Sequence, residues 1–344
     1  MAYFQLCNIF AKKISRMRIV GLGNALTDVL ARLHSDECFD EMGLLKGGMQ
    51  LIDEEKLLRI MSVFEGLETT LASGGSAANA VSGVARMGIE SGFIGKIGRD
   101  AYGRFFREDM ERNGVQTLLI EGEQASGCAM TMITPDGERT FGTFLGAAAT
   151  LCAEELSAEM FEGYDILHIE GYLVQDTSLI LRAVQLAKEA GLSVSFDMAS
   201  YNVVKDNYAI IRDLVENYVD ILFANEEEAL AYTGEEPRKA TEILSRYCRI
   251  AVVKCGAQGS FVGCEGIITE VPPEVRVDST GAGDLYASGF LYGLSQNCSL
   301  GVCGAIGSLL AGRVIKVIGT KMSDEIWTEI KLKVSSMVAE DIRH

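Results

Sequence analysis

From Ile166 to Lys254 the chain alternates short apolar runs with longer amphipathic ones. Ile166–Tyr172, Ser193–Asp197, Asp220–Ala224 and Ile250–Lys254 are apolar and bounded by polar residues, as expected of strands buried on both faces. Within Asp176–Ala190, Ile180, Ala183, Val184 and Ala187 recur at helical spacing, and Gly191 closes the run. This alternation predicts an α/β fold, a mostly parallel sheet with helices on both faces. Ligands of such sheets bind beyond the carboxyl ends of the strands, which directs attention to the polar strand-end residues Glu170, Asp197, Asn225 and Lys254. Nearer the amino terminus, Met17–Gly23 predicts a first strand with a turn at Asn24–Asp28, and Ser76–Met87 a helix rich in Ala, Ser and Gly that can approach a sheet closely. Two segments break the alternation. Leu30–Asp53 mixes loop and strand character, and Cys128–Ile133 with Arg139–Phe144 flank the turn Pro135-Asp136-Gly137 as a hairpin. Together they predict a small β lid, residues 30–53 and 125–146, on a three-layer α/β/α core spanning residues 17–330.

Composition narrows the function classes. Of 344 residues 48% are apolar and 23% charged, enough for a large core. A net charge of −17 disfavours nucleic acid and anionic membrane as partners. Nine scattered cysteines without a Cys-x-x-Cys pair fit a reducing cytoplasm better than a disulfide framework or a zinc site. With only three histidines, acid–base chemistry falls to carboxylates. No stretch has the length of a membrane-spanning helix. Residues 1–16 lack the order of a signal peptide and read as an extension, or as an upstream start ahead of Met17.

Three glycine-rich segments carry the candidate chemistry. Asp278-Ser-Thr-Gly281-Ala282-Gly283-Asp284 precedes the helical run Leu285–Leu294. Glycines let the backbone turn tightly and aim successive N–H groups at one point, and the helix adds its positive end. The result is an anion hole suited to a phosphoryl group in transit, with Asp284 at its mouth to accept a proton from an alcohol. Alone, the segment reads equally well as an ordinary glycine-rich helix start capped by Asp284. Gly74-Gly75-Ser-Ala-Ala-Asn79 opens a helix; its glycines admit a ligand to the backbone and Asn79 offers a donor and an acceptor, although close helix–sheet packing explains the glycines as well. Gly21-Leu-Gly-Asn-Ala-Leu26-Thr-Asp28 has Leu26 where a dinucleotide fingerprint needs glycine, and Asp28 could accept bonds from two adjacent sugar hydroxyls. A Walker A loop is absent, because Gly95-Lys96 is followed by Ile97.

In this order and spacing, with Asn225-Glu-Glu-Glu228 and Lys254-Cys-Gly256-Ala-Gln-Gly259, these segments resemble the ribokinase-like (PfkB) carbohydrate kinases, from Met17 to about Gly319. Gly23-Asn-Ala-Leu-Thr-Asp28, Lys46–Asp53, Thr134–Thr140, Glu170–Leu173 and Asp284–Gly293 are most similar to the bacterial adenosine-kinase-like branch. The resemblance implies an ATP-dependent kinase acting on a primary hydroxyl, adenosine first and a free sugar or sugar acid as the alternative. It makes Asp284 the base, with Gly281, Ala282 and Gly283 as the anion hole. Arg139 would reach over the phosphoryl group as the lid closes. Asp28, Gly75 and Asn79 would hold sugar hydroxyls, with Leu26 and Tyr172 beside the acceptor base. Asn225, Glu228, Lys254, Gly256 and Gly259 would serve the nucleotide, with Glu228 helping to place Mg2+. A monovalent cation beside the anion hole and a homodimer through the lid are left open. Ser279 stands where the family more often has Thr, and Phe196–Ser200 departs from the nucleoside kinases.

Overall fold

Along the strands buried side chains point alternately to two separate cores, so the large sheet is covered on both faces. A computed structural model describes residues 17–36, 38–272, 281–315 and 321–343. Its strands are β1 Ile19–Leu22, β2 Leu26–Arg32, β3 Gly48–Leu51, β4 Thr69–Gly74, β5 Ser91–Gly98, β6 Val115–Gly122, β7 Gly127–Ile133, β8 Arg139–Phe144, β9 Ile166–Glu170, β10 Ser193–Asp197, β11 Ile221–Asn225, β12 Ile250–Lys254, β13 Ser260–Cys264 and β14 Ile267–Val271. Its helices are α1 Cys38–Met42, α2 Glu54–Phe64, α3 Ser76–Arg86, α4 Ala101–Arg112, α5 Thr177–Glu189, α6 Tyr201–Asp206, α7 Tyr208–Asn217, α8 Glu226–Thr233, α9 Pro237–Leu244, α10 Ala282–Ser295, α11 Leu300–Val314 and α12 Asp324–Asp341.

The large sheet has nine strands in the order β14-β13-β12-β11-β10-β9-β1-β5-β6. From β12 to β6 every neighbouring pair is parallel; β13 alone runs against its neighbours. Ile19, Phe93, Ile166, Phe223 and Val252 meet α3, α4, α10, α11 and α12 on one face. Val20, Ile94, Leu167, Phe196 and Val253 meet the layer that includes α5 and α7 on the other. The expected three-layer α/β/α arrangement is therefore present, and predicted and observed ends of β8, β10, β12 and α5 agree to within a residue. The carboxyl ends of β1, β9, β10, β11 and β12 lie along one edge, with β1 and β9 adjacent at the point where the strand order reverses.

The second sheet has five strands in the order β3-β8-β7-β2-β4. It takes in more chain than the two segments that break the alternation, because β2 begins at Leu26 and β4 adds Thr69–Gly74. Its outer face is covered. Val29 and Ala31 of β2 and Cys128, Met130 and Met132 of β7 pack with Phe39 and Met42 of α1 and Leu57, Ile60 and Phe64 of α2. Gly142 leaves room for that contact, since a Cβ there would lie 2.9 Å from Ile60 Cδ1. The outer apolar face of this sheet is thus filled by the chain's own helices. Residues of the opposite register, Asp28, Leu30, Ala129, Phe141, Thr143, Met49 and Leu51, share the inner face.

Candidate active site

Two helix starts meet at the carboxyl edge of the large sheet. The N-cap of α3 is Gly75 and that of α10 is Gly281, so in neither helix does the N-cap residue itself supply a side-chain cap. Both glycines are left-handed, at φ 100° and 83°. At Gly75 the requirement is also steric, because a Cβ would sit 2.2 Å from the carbonyl oxygen of Asn24. Small residues bring the two helices together. A Cβ on Gly83 would lie 2.4 Å from Ser288 Oγ, and that hydroxyl donates to the Ala80 carbonyl at 2.8 Å. One turn nearer the helix starts, Ser76 Oγ donates to Asp284 Oδ1 at 2.8 Å and Asn79 Nδ2 donates to Oδ2 at 2.9 Å.

Asp284 is therefore held by both oxygens at the mouth of α10. Burial raises its pKa to about 6, and the Asp197 charge adds to this, against the two hydrogen bonds and the Lys254 charge. Lys254 ends β12 and pairs with Asp197 at 2.9 Å. A Cβ on Gly283 would be 3.1 Å from its ammonium, so Lys254 faces the start of α10. An uncapped helix N-terminus beside a partly buried cation fits an anionic phosphate chain. Gly256 and Gly259, both at positive φ, shape the turn between β12 and β13, which is closed by Cys255 N donating to the Gly259 carbonyl at 2.7 Å.

Asp28 is brought to the same place from the inner face of the small sheet. A Cβ on Gly74 would fall 2.3 Å from Asp28 Oδ1, so the carboxylate lies against bare backbone. Burial raises its pKa to about 7; the Asp284 charge adds to this, and Lys321 opposes it. Leu26, on the same face, packs over Gly127. Tyr172, half-buried after β9, has its phenol pushed up by burial and by the carboxylates of Glu170, Asp284, Asp197 and Glu228, which places it beside the same group of charges.

Three candidate residues have neighbours that the sequence did not foretell. Glu228 is 2% exposed and forms a capping box with Asn225: its Oε2 accepts from Asn225 N at 2.7 Å and its Oε1 from Asn225 Nδ2 at 2.8 Å. Glu228 thereby orients Asn225 at the start of α8, the pair through which the expected placing of magnesium would run; among the described residues no cluster of three His, Cys, Asp or Glu could hold a metal ion. Arg139 shares the inner face with Asp28 but pairs through Ile133 with the row of Arg32, roughly 13 Å along the strand. Asn79, expected on a sugar hydroxyl, donates from Nδ2 to Asp284. Asp278, Ser279 and Thr280 lie outside the described residues.

Sequence reasoning missed Ser76 and the role of Glu170. Glu170 is buried and accepts from Asn24 N, Asn24 Nδ2 and Ala77 N at 2.9, 2.7 and 2.9 Å, tying the β1–β2 loop to the start of α3. Burial raises its pKa to about 7. The signal for Ser76 was its place one helical turn before Asn79.

Comparison with known proteins agrees with this geometry. The pfkB family carbohydrate kinase profile matches residues 42–327. The structure of adenosine kinase from Sinorhizobium meliloti is 32% identical with a TM-score of 0.81, over 93% of this chain and 100% of that one. A probable sugar kinase protein from Rhizobium etli is 31% identical with a TM-score of 0.82, over 94% and 100%. An uncharacterized sugar kinase from Archaeoglobus fulgidus is 29% identical over 243 residues, 70% of this chain and 96% of the relative. On matches of that breadth the chain belongs to the pfkB family of carbohydrate kinases and is an ATP-dependent sugar or nucleoside kinase.

Proposed function

We propose that the chain transfers the γ-phosphoryl group of ATP to the primary 5′-hydroxyl of a ribose-containing nucleoside, adenosine foremost. The observation that carries the acceptor is the inner face of the small sheet. Leu51 shares the row of Asp28 through Ala129 and Thr143, Met49 and Phe141 share the next row with Leu30, and Met49 and Leu51 are 50% and 57% exposed. An apolar floor next to a hydroxyl-binding carboxylate suits a flat base joined to a sugar; a free sugar would call for polar groups in those places. The likeness to the Sinorhizobium meliloti adenosine kinase supports the same reading.

In this mechanism Asp28 accepts from the ribose hydroxyls, with Gly75 giving them access to the backbone, and Leu26 and Tyr172 flank the base. Asp284, oriented by Ser76 and Asn79, takes the proton of the 5′-hydroxyl as the oxygen attacks. The amides at Gly281, Ala282 and Gly283 and the Lys254 ammonium hold the phosphates, with Asn225 and the turn at Gly256 and Gly259 behind them. Asn225 and Glu228 would help to place the magnesium that accompanies ATP, partly through water, and the ion would supply neutralisation of phosphate charge. The small sheet acts as a lid: closure carries Arg139 toward the phosphates and excludes water.

Two carboxylates must be ionised, Asp284 with a pKa of about 6 and Asp28 with one of about 7. Each works as the anion, so activity is lost as pH falls through these values. The kcat/KM profile is expected to decline below pH 7 and to steepen below pH 6, the two values belonging to the interacting pair. A profile flat down to pH 5 would remove both assignments.

The acceptor is tested by ADP release across nucleosides and sugars at saturating ATP and magnesium. Turnover with adenosine well above that with ribose or fructose is expected. Turnover with a free sugar and none with adenosine would replace the nucleoside reading by a sugar kinase on the same machinery.

A further inference from the structure

The base of the small sheet rests on α4 at three of its four crossings to the core, those of β2, β4 and β7. Thr27 Oγ1 of β2 donates to the Tyr102 carbonyl at 3.0 Å, and Ser126, just before β7, donates to Asp100 at the start of α4. On β4, Ser73 donates to Asp109 Oδ2 from its backbone N at 3.1 Å and from Oγ at 2.7 Å. Asp109 is 2% exposed, and its other oxygen accepts from Arg112 and, at 2.5 Å, from Lys321 Nζ. Lys321 thus arrives from a distant part of the chain onto the carboxylate that holds the residue preceding Gly74 and Gly75.

The stretch bearing Lys321 is itself anchored. Arg86, in the last turn of α3, pairs with Asp324 and lies over the Trp327 ring, while Met322 is buried. Lys321 also lies 5.4 Å from the centre of the Phe105 ring on α4. We propose that Lys321 is a positioning residue for the acceptor: bonded to Asp109, which holds Ser73, it fixes the β4 hinge under Gly74 and Gly75. The inference rests on the reading that Asp28 and the backbone at Gly75 hold acceptor hydroxyls. Among the described residues, the Asp284 charge raises the Asp28 pKa and the Lys321 charge lowers it; the in-register neighbours of Asp28, Ala72 on β4 and Ala129 on β7, carry no charge.

The test compares Lys321→Met and Lys321→Arg in the full chain, using adenosine, or ribose if the unsubstituted chain turns over ribose and not adenosine. For Lys321→Met the acceptor KM should rise about tenfold with kcat within about twofold, a loss of binding common to ground and transition states. The acidic limb of kcat/KM should move up by about one pH unit as Asp28 loses its cation. The KM for ATP should stay unchanged, and Lys321→Arg should restore both acceptor readouts. Unchanged acceptor KM and pH limb in the Met variant overturn the inference, as does a rise confined to the KM for ATP. If the Met substitution lowers the melting temperature so far that kinetics are lost, the Arg variant decides: retained acceptor KM supports the inference and a tenfold rise overturns it. Failure of the nucleoside reading shows separately, as absence of adenosine turnover in the unsubstituted chain.

Discussion

Asp284→Asn is expected to lower kcat by about a thousandfold while ATP affinity changes by less than about threefold. The substitution keeps the size of the side chain, and Ser76 can still donate to the remaining carbonyl oxygen. What is lost is the anion that receives the proton and the acceptor for Asn79 Nδ2, which then faces another amide. ADP-release kinetics together with calorimetric titration of ATP separate the two effects. Turnover within tenfold of the unsubstituted chain would remove Asp284 from its role as base.

The second large effect is expected at Gly75. Alanine there must adopt φ near 100° with its Cβ 2.2 Å from the Asn24 carbonyl oxygen, so the loop after β1 has to move. Left-handed strain and the collision together are expected to cost about 2 kcal/mol of folding stability. The larger consequence is functional, because Asn24 is tied through Glu170 to the start of α3, where Ser76 and Asn79 orient the base. A shift of this kind is expected to reduce kcat/KM for the acceptor by about a hundredfold. Denaturant unfolding and steady-state kinetics on one preparation check both figures. Near-normal kinetics with normal stability would mean that the turn accommodates a side chain and is not the close approach described.

Much of this arrangement could be read from residue order alone, for identifiable reasons. The strands from Ile166 to Lys254 were legible because strands buried on both faces are short uniform apolar runs, and α5 because its apolar positions keep a helical period. Asp284 stood out only through the order of several segments, because the glycine run before α10 alone reads equally well as an ordinary helix start. The small sheet was only partly legible. Leu30–Asp53 hides α1, a single short helix, and β4 is Thr-Thr-Leu-Ala-Ser-Gly, too weakly alternating to announce itself. Contacts that depend on distant partners left no local trace. Ser73 with Asp109, Asp109 with Lys321 and Asn24 with Glu170 join residues far apart in the chain, and polar side chains carry no periodicity that forecasts whom they meet. The capping box of Asn225 and Glu228 was not legible either, because an acid at a helix start looks the same in sequence whether or not it folds back onto its own cap.

The helices α1 and α2 against the outer side of the five-stranded sheet have a mechanical consequence. A bare sheet flexes strand by strand, whereas one backed by Phe39, Met42, Ile60 and Phe64 stiffens into a plate. In the closure proposed above, bending would then concentrate where β2, β4 and β7 step off α4, and the plate would tilt as one piece. A dye at Leu58, which points to solvent from α2, would travel with the whole plate and signal each turnover without touching either substrate.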